Sequence, residues 1–138
     1  RPPEATYAAY VDSLLRCQIE GKCRLDDMDV LAIMTAAVDN PSVSAETKGE
    51  LLKTAAQYAV NRANDWAYAQ TLVEYALQYH DETTTRIVYA QILRNRDKLD
   101  LAARQVDLAE QLDTRGLYRS LIQRERAQLG VGTSERHP

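Results

Sequence analysis

The chain has 138 residues, 45% hydrophobic and 27% charged, with a net charge of −3. That is enough for one domain with a real core. The mild charge and the absence of a basic run exclude a nucleic-acid binder, five Gly and four Pro are too few for a loop-rich or all-β fold, and no apolar run approaches the roughly 18 residues of a membrane-spanning helix.

The chain begins RPPEATY, with neither an initiator Met nor a signal-peptide pattern, and reads as a piece of a larger protein or a processed form. Behind Pro2 and Pro3, Tyr7, Tyr10, Val11, Leu14 and Leu15 recur at helical spacing, which predicts a first helix over residues 4–17. QIEGK is a turn. Asp26 or Asp27 can cap a second helix, DMDVLAIMTAAV, which stops at Asn40-Pro41. Ser44 can cap a third, AETKGELLKTAAQYAVNRA. A short turn at Asn64-Asp65 leads to a fourth, WAYAQTLVEYALQYH. TTTRIVYAQILRNR, over residues 83–96, makes the fifth, and a turn near Asp97-Lys98 leads to the sixth, LDLAARQVDLAEQL. Asp113 to Gly116 break that helix, and LYRSLIQRERAQL makes a seventh. The tail GVGTSERHP, residues 130–138, has no periodicity and is expected to be disordered.

An internal repeat organises the middle of the chain. Trp66, Ala69, Val73 and Ala76 sit 33 residues before Leu99, Ala102, Val106 and Ala109, and Val60 sits 33 before Leu93. A period near 34 with small residues at fixed points of the second helix is the signature of tetratricopeptide (TPR) repeats. Antiparallel helices that approach closely need alanine where they touch, and a larger residue just after the turn fills the gap between them. Gln57 departs from the pattern, standing where Ala90 stands one unit later, and neither unit ends in the usual proline. The expected fold is all-α: a TPR-like helical-hairpin superhelix of about seven helices in one domain over residues 1–129. Its parts are an N-terminal helix pair over 4–43, two TPR-like units over 44–112 and a capping helix over 116–129.

Cys17 and Cys23 are the chain's only cysteines. Four readings compete. A zinc site needs four ligands, and the remaining candidates, His80 and His137, lie far off along the chain. A catalytic dithiol is normally Cys-x-x-Cys beside a βαβ unit, and neither condition holds. A structural disulfide fits: one cysteine ends a helix, the other precedes the next, and Gly21 allows a tight reversal between them. Closing so short a loop contributes about 2–3 kcal/mol by the chain-entropy relation. A pair of buried free thiols is the remaining alternative. A stable disulfide implies an oxidising compartment.

The segment AYVDSLLRCQIEGKCRL, a helix ending VDNPSVSAETKGELLKTAAQYAVNRAND, and the TPR-like units after it resemble the C-terminal soluble domain of the bacterial O-antigen ligases and pilin-glycosylating O-oligosaccharyltransferases. The resemblance covers roughly residues 5–112. It is carried by the aromatic-rich first helix, the cysteine pair, the Asn-Pro stop and the repeats. It implies a polytopic inner-membrane glycosyltransferase that ends in a periplasmic helical region. Such an enzyme moves a lipid-pyrophosphate-linked glycan onto lipid A core or onto a hydroxyl of a protein such as pilin. That chemistry resides in the membrane portion and a large periplasmic loop, so no catalytic residue is carried over. The chain is then a non-catalytic accessory or recognition domain, tethered to the inner membrane, whose partners are its own membrane domain and a protein or glycan acceptor. RPP would be the junction to the last transmembrane helix. Two other classes stay open: a stand-alone extracytoplasmic TPR-like adaptor, and a cytosolic scaffold with free thiols.

No cofactor is expected, since the sequence holds no Gly-rich phosphate loop and no metal-ligand cluster. His80 ends a helix, where a surface histidine is favourably placed, and the acidic pairs Asp26-Asp27 and Asp81-Glu82 fall at helix starts, where the dipole favours them. Tyr68, Leu72, Tyr75 and Tyr79 share one helix face by their spacing. That stripe can stack sugar rings, but packing against a neighbouring helix is the preferred reading. By the repeat register, Tyr58, Asn61 and Arg62 of one first helix and Gln91, Arg94 and Asn95 of the next face a common concave groove. Arginine forks there can bind a carboxylate or phosphate bidentately. Arg119, Arg124 and Arg126 of the last helix read as a solvated capping face, with contact to anionic lipids as the alternative.

Overall fold

The structure, a computed structural model, describes the backbone of residues 38–136 and the side chains of residues 38–130. The first predicted helix, nearly all of the second, and Cys17 and Cys23 lie outside the described residues. Among those described the chain is all-α, with five helices and no strand. It divides into two compact units between His80 and Asp81, the boundary between the two repeats.

The described part of the first unit is a helical hairpin. Asn40-Pro41 opens a turn in which Asn40 accepts from the Ser42 N–H through its side chain (2.9 Å) and from the Val43 N–H through its carbonyl (3.1 Å). Ser44 then takes extended backbone, and its Oγ accepts the Thr47 N–H at 3.1 Å, capping helix α1, Ala45–Ala63. This satisfies one of the donors that a helix start leaves unpaired. Asn64 ends α1 in the left-handed region at φ 51°, which asparagine tolerates better than most residues. Asp65 follows as N-cap of α2, Trp66–Tyr79, its Oδ1 accepting the Tyr68 N–H at 3.0 Å. The two helices pack through Leu51, Ala55, Ala56 and Ala59 on α1 and Ala69, Val73 and Ala76 on α2, all buried.

The second unit adds a third helix to the same hairpin. It comprises α3, Thr83–Asn95, α4, Leu99–Leu112, and α5, Arg119–Arg136. Asp97 closes α3 at φ 65° and Gly116 turns the chain toward α5 at φ 68°. The core gathers Ile87, Ala90 and Leu93 from α3, Ala102, Val106 and Ala109 from α4, and Ile122 and Leu129 from α5. The helix runs past the expected limit at residue 129, into the segment read as a disordered tail. Gly130 takes helical rather than left-handed backbone. Losing the apolar stripe removes the sequence signal without breaking the backbone hydrogen bonds, and glycine weakens a helix by only about 1 kcal/mol.

The hydrogen bonds explain Gln57. Lys98 N–H donates to the Leu93 carbonyl, five residues back, whereas Asp65 N–H reaches the Ala59 carbonyl, six back. The first unit therefore carries one extra residue in the last turn of α1. The repeat is 33 residues between second helices but 34 between first helices, and the buried small residue matching Ala90 is Ala56, not the exposed Gln57. Ala56→Leu should destabilise the first unit by about 1–2 kcal/mol through overpacking. Gln57→Leu should stay within about 0.5 kcal/mol of the parent. Urea midpoints of the two variants check the assignment, and the reverse order would refute it.

Candidate functional site

The six groove residues divide three and three between α1 and α3, one set in each unit. The 34-residue register of the first helices shifts the correspondence: Gln91, Arg94 and Asn95 match Gln57, Val60 and Asn61. Tyr58 instead matches the core residue Ile92, and it is buried, with 6% of its surface exposed. Asn61 and Arg62 are exposed on the last turn of α1. On α3, Asn95 donates its side-chain amide to the Gln91 carbonyl at 2.8 Å. Arg94 is committed within its own unit. Its Nε and Nη2 hold the two oxygens of Glu125 at 3.0 and 3.1 Å, and Glu125 is only 3% exposed. A guanidinium in such a fork is the counter-charge of a buried carboxylate, not a receptor for an external one.

Other charges of the second unit are likewise spent on its own helices. Arg86 forks onto Asp81 at 2.8 and 2.9 Å and donates to Gln105 Oε1 of α4 at 2.6 Å. Arg126 reaches back from α5 to Asp107 at 2.9 Å and Glu110 at 3.2 Å on α4. Chiefly through the Asp107 hydrogen bond, these hold its pKa above the usual arginine value. That pairing stitches α5 to α4 on an exposed, charged face, as the solvated capping reading expects.

The stripe on α2 divides: Leu72 takes the packed environment that its spacing predicts, and the three tyrosines do not. Tyr68, Tyr75 and Tyr79 are 40%, 52% and 39% exposed, while Leu72 between them is buried. With Leu52 of α1 they line an open cavity of about 300 Å³, to which Val38 and Asp39 also contribute. The volume is at the lower end of the range for small-molecule sites. The cause lies in the helix geometry. Ala69, Val73 and Ala76 take the face toward α1, and at about 100° per residue the three tyrosines fall roughly 85–130° round from its centre. They stand at the flank of the packed face. Lys48 of α1 already holds its ammonium 5.5 Å from the centre of the Tyr79 ring, within cation–π reach.

A second cavity, of about 420 Å³, lies where α4 turns into α5 and mixes both charge signs, with Arg115 and Arg119 beside Glu110 and Asp113. Asp113 Oδ2 accepts the Tyr118 N–H at 3.0 Å, so it serves the turn. His80 caps α2, donating its N–H to the Ala76 carbonyl at 2.9 Å. Among the described residues no group of three or more His, Cys, Asp or Glu is placed to hold a metal ion, and no helix is long and apolar enough to cross a membrane. Compared with known protein families, curated proteins and solved structures, the chain matches none.

Proposed function

We propose that the chain is a non-catalytic recognition domain built of TPR-like hairpins, and that the tyrosine face of α2 is its contact surface. Three exposed tyrosines around an apolar floor carry the reading. A tyrosine ring offers large, rigid contact area with a polar tip, so it works where one side is dry and the other wet. The resemblance to O-antigen ligases and pilin glycosyltransferases supplies the setting: a periplasmic domain of a membrane glycan ligase that holds the protein or glycan acceptor for transfer. Replacing Tyr68 and Tyr75 together with Ala should weaken binding of pilin or of lipid A core oligosaccharide at least tenfold, with the far-UV circular dichroism unchanged. Full affinity in that variant sinks the reading.

One observation favours a stand-alone adaptor that binds a protein partner. Leu101, Leu112, Leu117 and Leu121 of the second unit are exposed, and exposed apolar groups in number mark protein contacts. Under that reading, serine at Leu112 and Leu117 abolishes partner binding and the tyrosine variant does not.

A further inference from the structure

We propose that the cavity beside α2 receives a quaternary ammonium group on a small soluble molecule, seated over Leu72 between the rings of Tyr68 and Tyr75, with Asp39 as its counter-charge. This rests on the tyrosine face being a binding surface and names the chemistry it selects.

Geometry supplies the first support. Leu72 follows Tyr68 by four residues and precedes Tyr75 by three. At about 1.5 Å per residue the two tyrosines stand roughly 6 and 4.5 Å to either side along the axis. Both rings line the same cavity as Leu72, so a cation seated there can meet a ring face, which attracts positive charge within ~6 Å of its centroid.

Charge supplies the second. Among the described residues Asp39 is the only charged side chain lining the cavity. It is exposed and forms no ion pair with a described residue. Helix α2 contributes no Lys or Arg. Lys48 sits over Tyr79, whose position is seven residues from Leu72, about 10.5 Å along the axis.

The floor decides which cation. Val38, Leu52 and Leu72 offer no side-chain hydrogen-bonding groups. A primary ammonium seated over that floor gives up hydrogen bonds to water and recovers only those that the Asp39 carboxylate or a tyrosine hydroxyl can reach. A quaternary ammonium has no N–H to satisfy, and its methyl groups suit the leucines. The absence of basic residues on α2 gives the face nothing to draw it to an anionic bilayer, and a zwitterionic lipid headgroup as the source is an outcome that the test separates.

The test titrates the full chain with choline, ethanolamine and the neutral isostere 3,3-dimethyl-1-butanol, following the tyrosine ring resonances, and adds sedimentation with phosphatidylcholine vesicles. Saturable choline binding that moves Tyr68 and Tyr75, with the other two solutes at least tenfold weaker, is expected. Asp39→Asn should weaken choline several-fold and Tyr75→Leu at least tenfold, both variants retaining the parent circular dichroism. Equal affinity for the neutral isostere, or no choline binding, overturns the proposal, and binding to the vesicles alone overturns the soluble source. If choline fails while the Tyr68/Tyr75 double variant still loses its acceptor, only this inference falls. If acceptor binding is also unchanged, the recognition reading falls with it.

Discussion

Arg94→Ala is expected to lower the stability of the second unit by about 3 kcal/mol, the low end of the range for breaking a buried ion pair. The loss comes from what is left behind. Glu125 is almost fully buried on α5, and among the described residues Arg94 is the only cation that its two oxygens meet. Without the guanidinium, a carboxylate stays in a poorly solvated site with nothing to offset its desolvation. The low end applies because Arg94 itself is half-buried and water can partly replace it. Urea unfolding followed by circular dichroism reads the change. The double variant Arg94→Met, Glu125→Leu should recover most of the loss, because a buried pair and a well-packed apolar pair differ little. A loss under about 0.5 kcal/mol for the single variant would make the pair an ordinary surface contact and return Arg94 to the list of free receptor groups.

Gly49→Val should destabilise the first unit by about 2–3 kcal/mol. A Cβ at Gly49 would stand 2.9 Å from the His80 Cβ and 3.3 Å from the Ala76 carbonyl oxygen. Neither is the far end of a flexible side chain, so the start of α1 must move away from the end of α2. Overpacking of this kind costs 1–3 kcal/mol or more, and the better helix propensity of valine offsets only a few tenths. Gly130 on α5 is the control, since nothing lies within 4 Å of a Cβ there. Gly130→Ala should be neutral or stabilise by up to about 1 kcal/mol. Equal effects at both glycines would mean that α1 and α2 are not in close approach at Gly49.

The helices were legible because their signals are local. Ser44 and Asp65 cap the helices that the spacing predicts, Asn40-Pro41 stops a helix, and Asn64, Asp97 and Gly116 sit at the left-handed turns. Three features were not legible, each for its own reason. The extra residue in the last turn of α1 is absorbed by one wide backbone hydrogen bond, which no residue type announces; it displaced Tyr58 from the groove to the core. The Arg94–Glu125 pair joins residues 31 apart on α3 and α5, and no spacing rule reaches that far. The exposure of the three tyrosines was not legible because a shared helix face does not by itself fix burial. The alanine positions of α2 hold the angular information that places the tyrosines beside the packed face.

The account turns on the tyrosine face of α2, rather than the arginines of the first helices, being the recognition surface. The most direct test is one titration of the isotope-labelled chain with pilin and with lipid A core oligosaccharide, reading tyrosine ring and arginine side-chain resonances together. The predicted result is movement of Tyr68 and Tyr75, with buried Tyr58 and exposed Arg62 unchanged. Movement at Arg62 and Asn61 with Tyr68 and Tyr75 still would contradict it.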